Sequence, residues 1–247
     1  MKKLLNSFFG LLFFSTENIV EAQLSVGAEA GFSINLSSIN ISDLSYTKKS
    51  PGSGYLAGLK LNYSFNERLN FILSPMTISK NYFIERTGRY AGLFQKKTNQ
   101  YIQLPAYCQF NFKSPSKINF FLNSGLYIGF WATGKIEGAT ANILNIIDSI
   151  LTDDQVIESF KVEEYTEKYL FNKKRDNRIE CGLLFGGGVS YKTTNKFSFY
   201  SELKVYQSLS DQQKKSMANQ TSKYNQTYSL SLGCLMKINF DGKSNVR

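Results

Sequence analysis

The feature that most constrains this chain is a two-residue alternation of apolar with small or polar side chains, sustained over most of its length. Successive side chains of a β-strand point to opposite faces, so this period describes strands with two unlike sides. In the first segment Leu24, Val26, Ala28, Ala30, Phe32, Ile34 and Leu36 share one face, and Ser25, Gly27, Glu29, Gly31, Ser33 and Asn35 the other. In the second, Tyr55, Ala57, Leu59, Leu61, Tyr63 and Phe65 oppose Gly58, Lys60, Asn62 and Ser64. Further segments run near 69–81, 99–112, 118–132, 178–191, 196–208 and 226–240, which makes eight strands.

The connections alternate in length. Asn66–Arg68, Lys113–Lys117 and Lys192–Asn195 are tight turns, whereas the stretches near 37–53, 82–98, 133–177 and 209–225 are long. Short turns at one end and long loops at the other are the build of outer-membrane barrels, and an even strand count returns both termini to the short-turn side. Nearly all strand glycines take the polar parity, among them Gly27, Gly31, Gly58, Gly125, Gly129, Gly182, Gly186, Gly188 and Gly233. A barrel of eight strands has little room inside, so small residues belong on its inner wall and the apolar face turns to lipid. The reverse assignment, a soluble lipocalin-like barrel, leaves the smallness of the polar face without a reason.

The N-terminus agrees. Lys2 and Lys3 precede an apolar run from Leu4 to Phe14, too short to span a bilayer as a helix, and Val20-Glu21-Ala22 offers a cleavage site. The expected organisation is a signal peptide at 1–22, a barrel over 23–240 and a tail at 241–247. The chain carries a formal charge of +10. Its basic residues lie mostly in loop tips, and an exported chain rarely meets nucleic acid, so the charge is read as attraction to anionic lipid headgroups.

Histidine is absent, which removes the commonest general base and metal ligand. Cys108, Cys181 and Cys234 are widely spaced, share the apolar parity, and read as small hydrophobes facing lipid. Phe185-Gly186-Gly187-Gly188-Val189 lies within an alternating strand and lacks the helix and Lys-Ser/Thr that a phosphate-cradling loop requires. No cofactor, metal or catalytic set is expected, and the chain is read as a non-enzyme.

Two groups of residues stand out. Glu29, Lys60, Arg178, Glu180, Glu202, Lys204 and Lys237 take the inward parity and are expected to form a salt-bridged cluster that plugs the lumen, the alternative being an ion path or proton relay. Within 133–177, Ile143, Ile146, Ile147, Ile150 and Leu151 recur at helical spacing, and Thr152 with Gln155 resembles a capping box. This predicts a helical hairpin at about 137–173 whose apolar stripe, a candidate partner contact, must meet the barrel rim, lipid or another protein.

Several segments resemble the PorT-like outer-membrane barrels of Bacteroidota. Tyr101-Ile102-Gln103-Leu104-Pro105 is similar to that family's Tyr-Leu-Glu-Ile-Pro strand, and Leu122-Asn123-Ser124-Gly125-Leu126-Tyr127-Ile128-Gly129 to its glycine-marked next strand. Gly182 to Val189 resembles its Gly-x-x-x-Gly-x-Gly strand, and Ser201-Glu202-Leu203-Lys204-Val205-Tyr206 its penultimate Glu-x-Arg-Tyr segment. Gln103 and Lys204 depart from the Glu and Arg common in the family, and the chain runs past Phe240, the expected membrane-insertion signal. The resemblance implies an accessory in type IX protein secretion or envelope assembly, with outer-membrane lipid and other envelope proteins as partners through the 133–177 loop. It carries no catalytic residues. The competing expectation is a narrow solute or ion pore.

Overall fold

A computed structural model describes residues 23–38, 46–112, 115–152, 155–194, 196–214 and 222–238. The expected signal peptide and C-terminal tail lie outside these residues. The strands are β1 (Gln23–Ser37), β2 (Thr47–Ser64), β3 (Leu69–Leu73), β4 (Met76–Ser79), β5 (Tyr82–Arg86), β6 (Phe94–Asn111), β7 (Ile118–Thr152), β8 (Gln155–Lys168), β9 (Ile179–Lys192), β10 (Phe197–Ser208) and β11 (Asn225–Ile238). Every pairing is antiparallel. β1 pairs with β2 and β11, β10 joins β11 to β9, and β7 joins β9 to β6. The short strands β3, β4 and β5 each bridge β2 to β6 and act as one interrupted stave. The ring therefore closes with eight staves, and β8 stands outside it as a partner of the upper part of β7.

The interruptions of the third stave have local causes. Pro75 has no N–H to give the ladder, but its carbonyl still accepts from the Leu59 amide at 2.9 Å. At the second break the Asn81 side chain replaces backbone groups: it donates to the Ser53 carbonyl at 2.7 Å and accepts from the Asn99 amide at 3.0 Å. The inward parity of Asn70, Ile72, Ser74, Met76 and Ile78 passes through the first break unchanged, whereas at the second Ser79, Lys80, Asn81 and Tyr82 are all buried.

Burial is inverted relative to a soluble protein. Phe32, Leu203 and Leu232 are 75%, 63% and 66% exposed, while Lys60, Lys204 and Glu202 are each 1% exposed. Cys108, Cys181 and Cys234 are free and exposed on the apolar wall. The inner and outer faces are those expected from the alternation.

Three expectations about the connections require correction. The segment at 137–173 is not a helical hairpin. β7 continues to Thr152 and returns as β8, with a register from Lys135↔Lys168 to Thr152↔Gln155. Among the described residues there is no α-helix, and no helix long and apolar enough to cross a membrane. Ile143, Ile146, Ile147, Ile150 and Leu151 therefore lie on a strand, and the environment of their side chains is outside the described residues. Two physical reasons explain the difference. Isoleucine and valine favour strands, and register shifts between Asn142 and Ile146 and between Ile146 and Asp148 break a strict period of two, leaving a spacing that imitates a helical stripe. The described residues of 37–53 and the stretch at 82–98 are also largely strand. β2 begins at Thr47, while β5, a 3-10 turn at Gly88–Tyr90 and the start of β6 occupy the second stretch. There the wall stands beyond the apolar band, so its faces carry charges and the alternation disappears. Lys48 and Glu85, paired in register, form an ion pair at 3.3 Å.

The face assignment has a direct test. Leu59→Arg and Leu232→Arg place a charge on the outer wall and are each expected to destabilise the folded barrel by roughly 2–4 kcal/mol if they lie near the bilayer midplane. Reversible denaturant unfolding in lipid vesicles measures this. Unchanged stability in both variants would turn the wall inside out.

Candidate functional site

Charged residues are held inside the ring opposite glycine. Glu29 on β1 lies between Gly58 and Gly233 in register, Lys60 on β2 opposite Gly27, Glu202 on β10 opposite Gly188, Lys204 opposite Gly186, and Glu180 on β9 opposite Gly129. A long charged side chain must lie across the wall to reach its counterion, and a neighbour without a side chain leaves that space free. The aromatic residues use the same device: a Cβ at Gly233 would fall 2.3 Å from the Tyr200 hydroxyl oxygen, and one at Gly182 2.6 Å from the Tyr127 ring.

Four of these charges form one network. Lys60 Nζ is 2.7 Å from Glu202 Oε2 and 3.9 Å from Glu29 Oε2, and Lys204 Nζ is 3.0 Å from Glu29 Oε2 and 3.2 Å from Glu202 Oε2. Ser74 donates to Glu29 at 2.6 Å, Asn123 donates to Glu202, and the Lys60 ammonium lies 3.8 Å from the Tyr200 ring centroid. Burying ions is favourable only when each is both paired and hydrogen-bonded, and here two lysines and two glutamates alternate with polar neighbours around them.

A second, smaller network lies nearer the long-loop end. Glu180 is bound by Lys80, by the Tyr127 hydroxyl at 2.7 Å and by the Asn225 amide at 2.7 Å. Leu56, Ile72, Met76, Ile78, Leu184 and Tyr206 form an apolar girdle in one buried cluster with Tyr107 and Tyr127, whose rings lie beside Lys60 of the first network and Lys80 of the second. Above the second network Tyr101, Trp131 and Tyr169 form an aromatic stack, with ring centroids 6.0 and 4.9 Å apart.

The expected cluster is thus partly assembled. Glu29, Lys60, Glu202 and Lys204 meet, and Glu180 sits apart with Lys80. Arg178 and Lys237 do not join. Arg178 lies at the rim, donating to the Trp131 and Ala132 carbonyls at 2.9 and 3.1 Å, with its guanidinium over Phe130 and Phe171. Lys237 is exposed and lines a vestibule of about 790 Å³ at the short-turn end, whose inner limit includes Lys60, Phe121 and Tyr200. Lys80 escaped the sequence reading because the inward residues beside it in the third stave are apolar, which reverses the usual cue.

At the long-loop end, residues 169–177, 209–214 and 222–224 lie over the mouth and line a second cavity of about 390 Å³. Asp176 anchors this cap: it accepts from the Tyr169 hydroxyl at 2.8 Å, the Asn172 amide at 2.7 Å and Arg175 Nε at 2.9 Å. Although burial opposes its charged form, these donors hold its carboxyl below the usual range. Gln212, from the second capping segment, donates to the Tyr101 hydroxyl at 2.6 Å.

The sequence of this barrel matches, over residues 15–214, the model of a family described as outer membrane protein beta-barrel domain. The chain belongs to that family. Family membership places it in the outer membrane, with lipid against its apolar wall. The match stops before β11, the strand that closes the ring onto β1. No curated protein matches it. Among solved structures it is similar to Neisserial surface protein A, with 15% identity over 87% of this chain and 97% of that one and a TM-score of 0.47. It is also similar to the outer membrane protein OprG of Pseudomonas aeruginosa, with 13% identity over 88% and 97% and a TM-score of 0.46. A third is the outer membrane protease OmpT of Escherichia coli, with 9% identity over 88% and 96% and a TM-score of 0.41.

The four-charge network generates a quantitative expectation. Lys204→Met leaves Glu29 and Glu202 to share Lys60 and should destabilise the barrel by about 3–5 kcal/mol, the usual cost of orphaning one member of a buried ion network. The exposed Lys96→Met, in an ion pair of 3.5 Å at the surface, should change stability by less than about 1 kcal/mol. Equal effects of the two substitutions, read from unfolding midpoints, would mean that the lumen charges are hydrated rather than paired.

Proposed function

We propose that this barrel is a non-enzymatic accessory of the cell envelope, exported by the segment at 1–22, that acts through its projecting ribbon rather than its lumen. One observation carries the reading. Beyond the β6–β7 pair Phe94↔Ala139, β7 has only β8 as a neighbour among the described residues, and β8 has only β7. The ribbon above that point, residues 140–152 paired with 155–163, extends on the order of 40 Å at about 3.4 Å per residue. A lone two-stranded ribbon is marginally stable in water, and its unpaired edges are templates for a further strand. A barrel that maintains such an element has a use for it, and strand addition by a partner protein is the mode its geometry fits.

The lumen speaks for the same reading from the other side. Its carboxylates are tied to lysines, and the apolar girdle and aromatic stack lie across the path a solute would take. The absence of histidine supports a non-enzymatic role. The resemblance to PorT-like barrels supports a place in type IX secretion or in envelope assembly.

Replacing residues 140–163 by an Asn-Gly turn, which suits a two-residue hairpin, tests the proposal. The shortened protein should refold and still migrate faster unheated than boiled in gel electrophoresis. Crosslinks that the full-length protein forms from a photoreactive residue placed at Val162 should map to one recurrent envelope protein, and the shortened protein should lose that protein from its native complexes. A ribbonless barrel that keeps every partner would overturn the reading.

A further inference from the structure

The inward and capping lysines divide into two kinds. Lys60, Lys80 and Lys204 each have a carboxylate in contact. Lys223 and Lys97, at the mouth, have no ion-pair partner among the described residues. Lys223 is only 8% exposed, and its ammonium donates to the Tyr82 hydroxyl at 2.7 Å. The Lys97 ammonium stands 5.8 Å from the ring centroids of both Tyr82 and Tyr169. Both lysines line the 390 Å³ cavity, together with Arg175 and Lys168 against only Asp176 and Glu167. Asp176 is already occupied by Arg175 and Tyr169. The cavity thus carries an excess of positive charge in a setting where water cannot fully solvate it.

A buried ammonium without a counterion is costly, and its surroundings show the strain. Burial pushes Lys223 down to about 7; Lys97 and Arg175 add repulsion, while Asp176 and Asp211 oppose the change. Burial likewise holds Lys97 below the ordinary lysine range, with Arg175 lowering it further and Asp176 raising it. Each shift marks a site whose charged form would gain from an anion.

We infer that this mouth cavity is a binding site for a phosphate monoester, with Lys97 and Lys223 as its two cationic arms. A phosphate monoester carries about −1.5 to −2 charges at neutral pH, which matches the excess of basic over acidic side chains in the lining. Two separate ammonium groups suit a tetrahedral oxyanion approached from two sides, whereas a carboxylate is best met by the planar fork of an arginine, and Arg175 is engaged by Asp176. The volume suits a phosphorylated sugar or headgroup, at the lower end of the roughly 300–1,000 Å³ typical of small-ligand sites. The ester could be a free molecule or the headgroup of an outer-leaflet lipid, and the two sources are distinguishable.

Trp131 provides the reporter. It is the chain's only tryptophan, it lines the cavity, and its ring stacks on Tyr169. The refolded full-length protein, in phosphatidylcholine nanodiscs, should change its tryptophan emission saturably on addition of glucose 1-phosphate but not glucose if the ligand is a free ester. If it is a headgroup, soluble esters should have no effect and nanodiscs containing phosphatidic acid should shift the emission. Lys97→Gln and Lys223→Met should each weaken whichever response is found by about tenfold or more, with heat-modifiability retained. Lys223→Arg should restore part of it. Sulfate, a dianion of the same shape, should bind more weakly as pH rises through about 7, because Lys223 is protonated below that value and neutral above it. Absence of any response to esters or phosphatidic acid would overturn the inference, as would a response unaltered in Lys97→Gln, the more exposed and structurally safer substitution.

Discussion

A wall standing in hydrocarbon must satisfy every backbone amide and carbonyl from within itself, and the rest of this structure depends on that constraint. An open sheet would leave two edges unpaired. The β1–β11 register, from Leu24↔Ile238 to Ser37↔Asn225, removes both edges. Closure at eight staves fixes a narrow interior, and a narrow interior decides which side chains can enter it. Even the interrupted third stave obeys the constraint: the Pro75 carbonyl and the Asn81 side chain keep the ladder supplied where the backbone alone would fail.

The interior then sets a second condition. Water is largely excluded at the centre of the lumen, so charges placed there must neutralise one another at close range. Glu29, Lys60, Glu202 and Lys204 do so, and the glycines opposite them provide the space in which their side chains lie. Gly58, Gly186, Gly188 and Gly233 thus complement a charge, and Gly182 a tyrosine. The network leaves the short-turn end as a vestibule and the long-loop end as a capped cavity, with the apolar girdle between. The two ends are chemically different: one is lined by exposed loop-tip lysines, and the other by Lys97 and Lys223, which have no ion-pair partner among the described residues.

Much of this was legible in the sequence where local periodicity was the message. Leu24 to Leu36 announces a two-faced strand, the polar parity of the glycines identifies the inner wall, and four of the central charges follow from that parity alone. The rest depended on contacts between distant residues. Nothing in the neighbourhood of Lys223 shows that its ammonium meets Tyr82, a residue 141 positions away. Lys80 was hidden by apolar inward neighbours, and Arg178 shares the inward parity but sits at the rim, where the backbone carbonyls of Trp131 and Ala132 attract it. The ribbon misled for a third reason. Spacing that fits a helix also fits a bulged strand, and the preference of isoleucine for extended backbone, together with the continuing β7 ladder, decided the matter.

The central claim is that paired charges and packed rings close the lumen. Single-channel recording of the refolded protein in a planar bilayer tests it most directly. The wild-type barrel should show current indistinguishable from the bare membrane, with brief openings appearing only when Glu202→Ala unbalances the network. Steady, ion-selective currents in the wild type that disappear in Glu202→Ala would contradict the account, and the barrel would be a pore whose charges conduct.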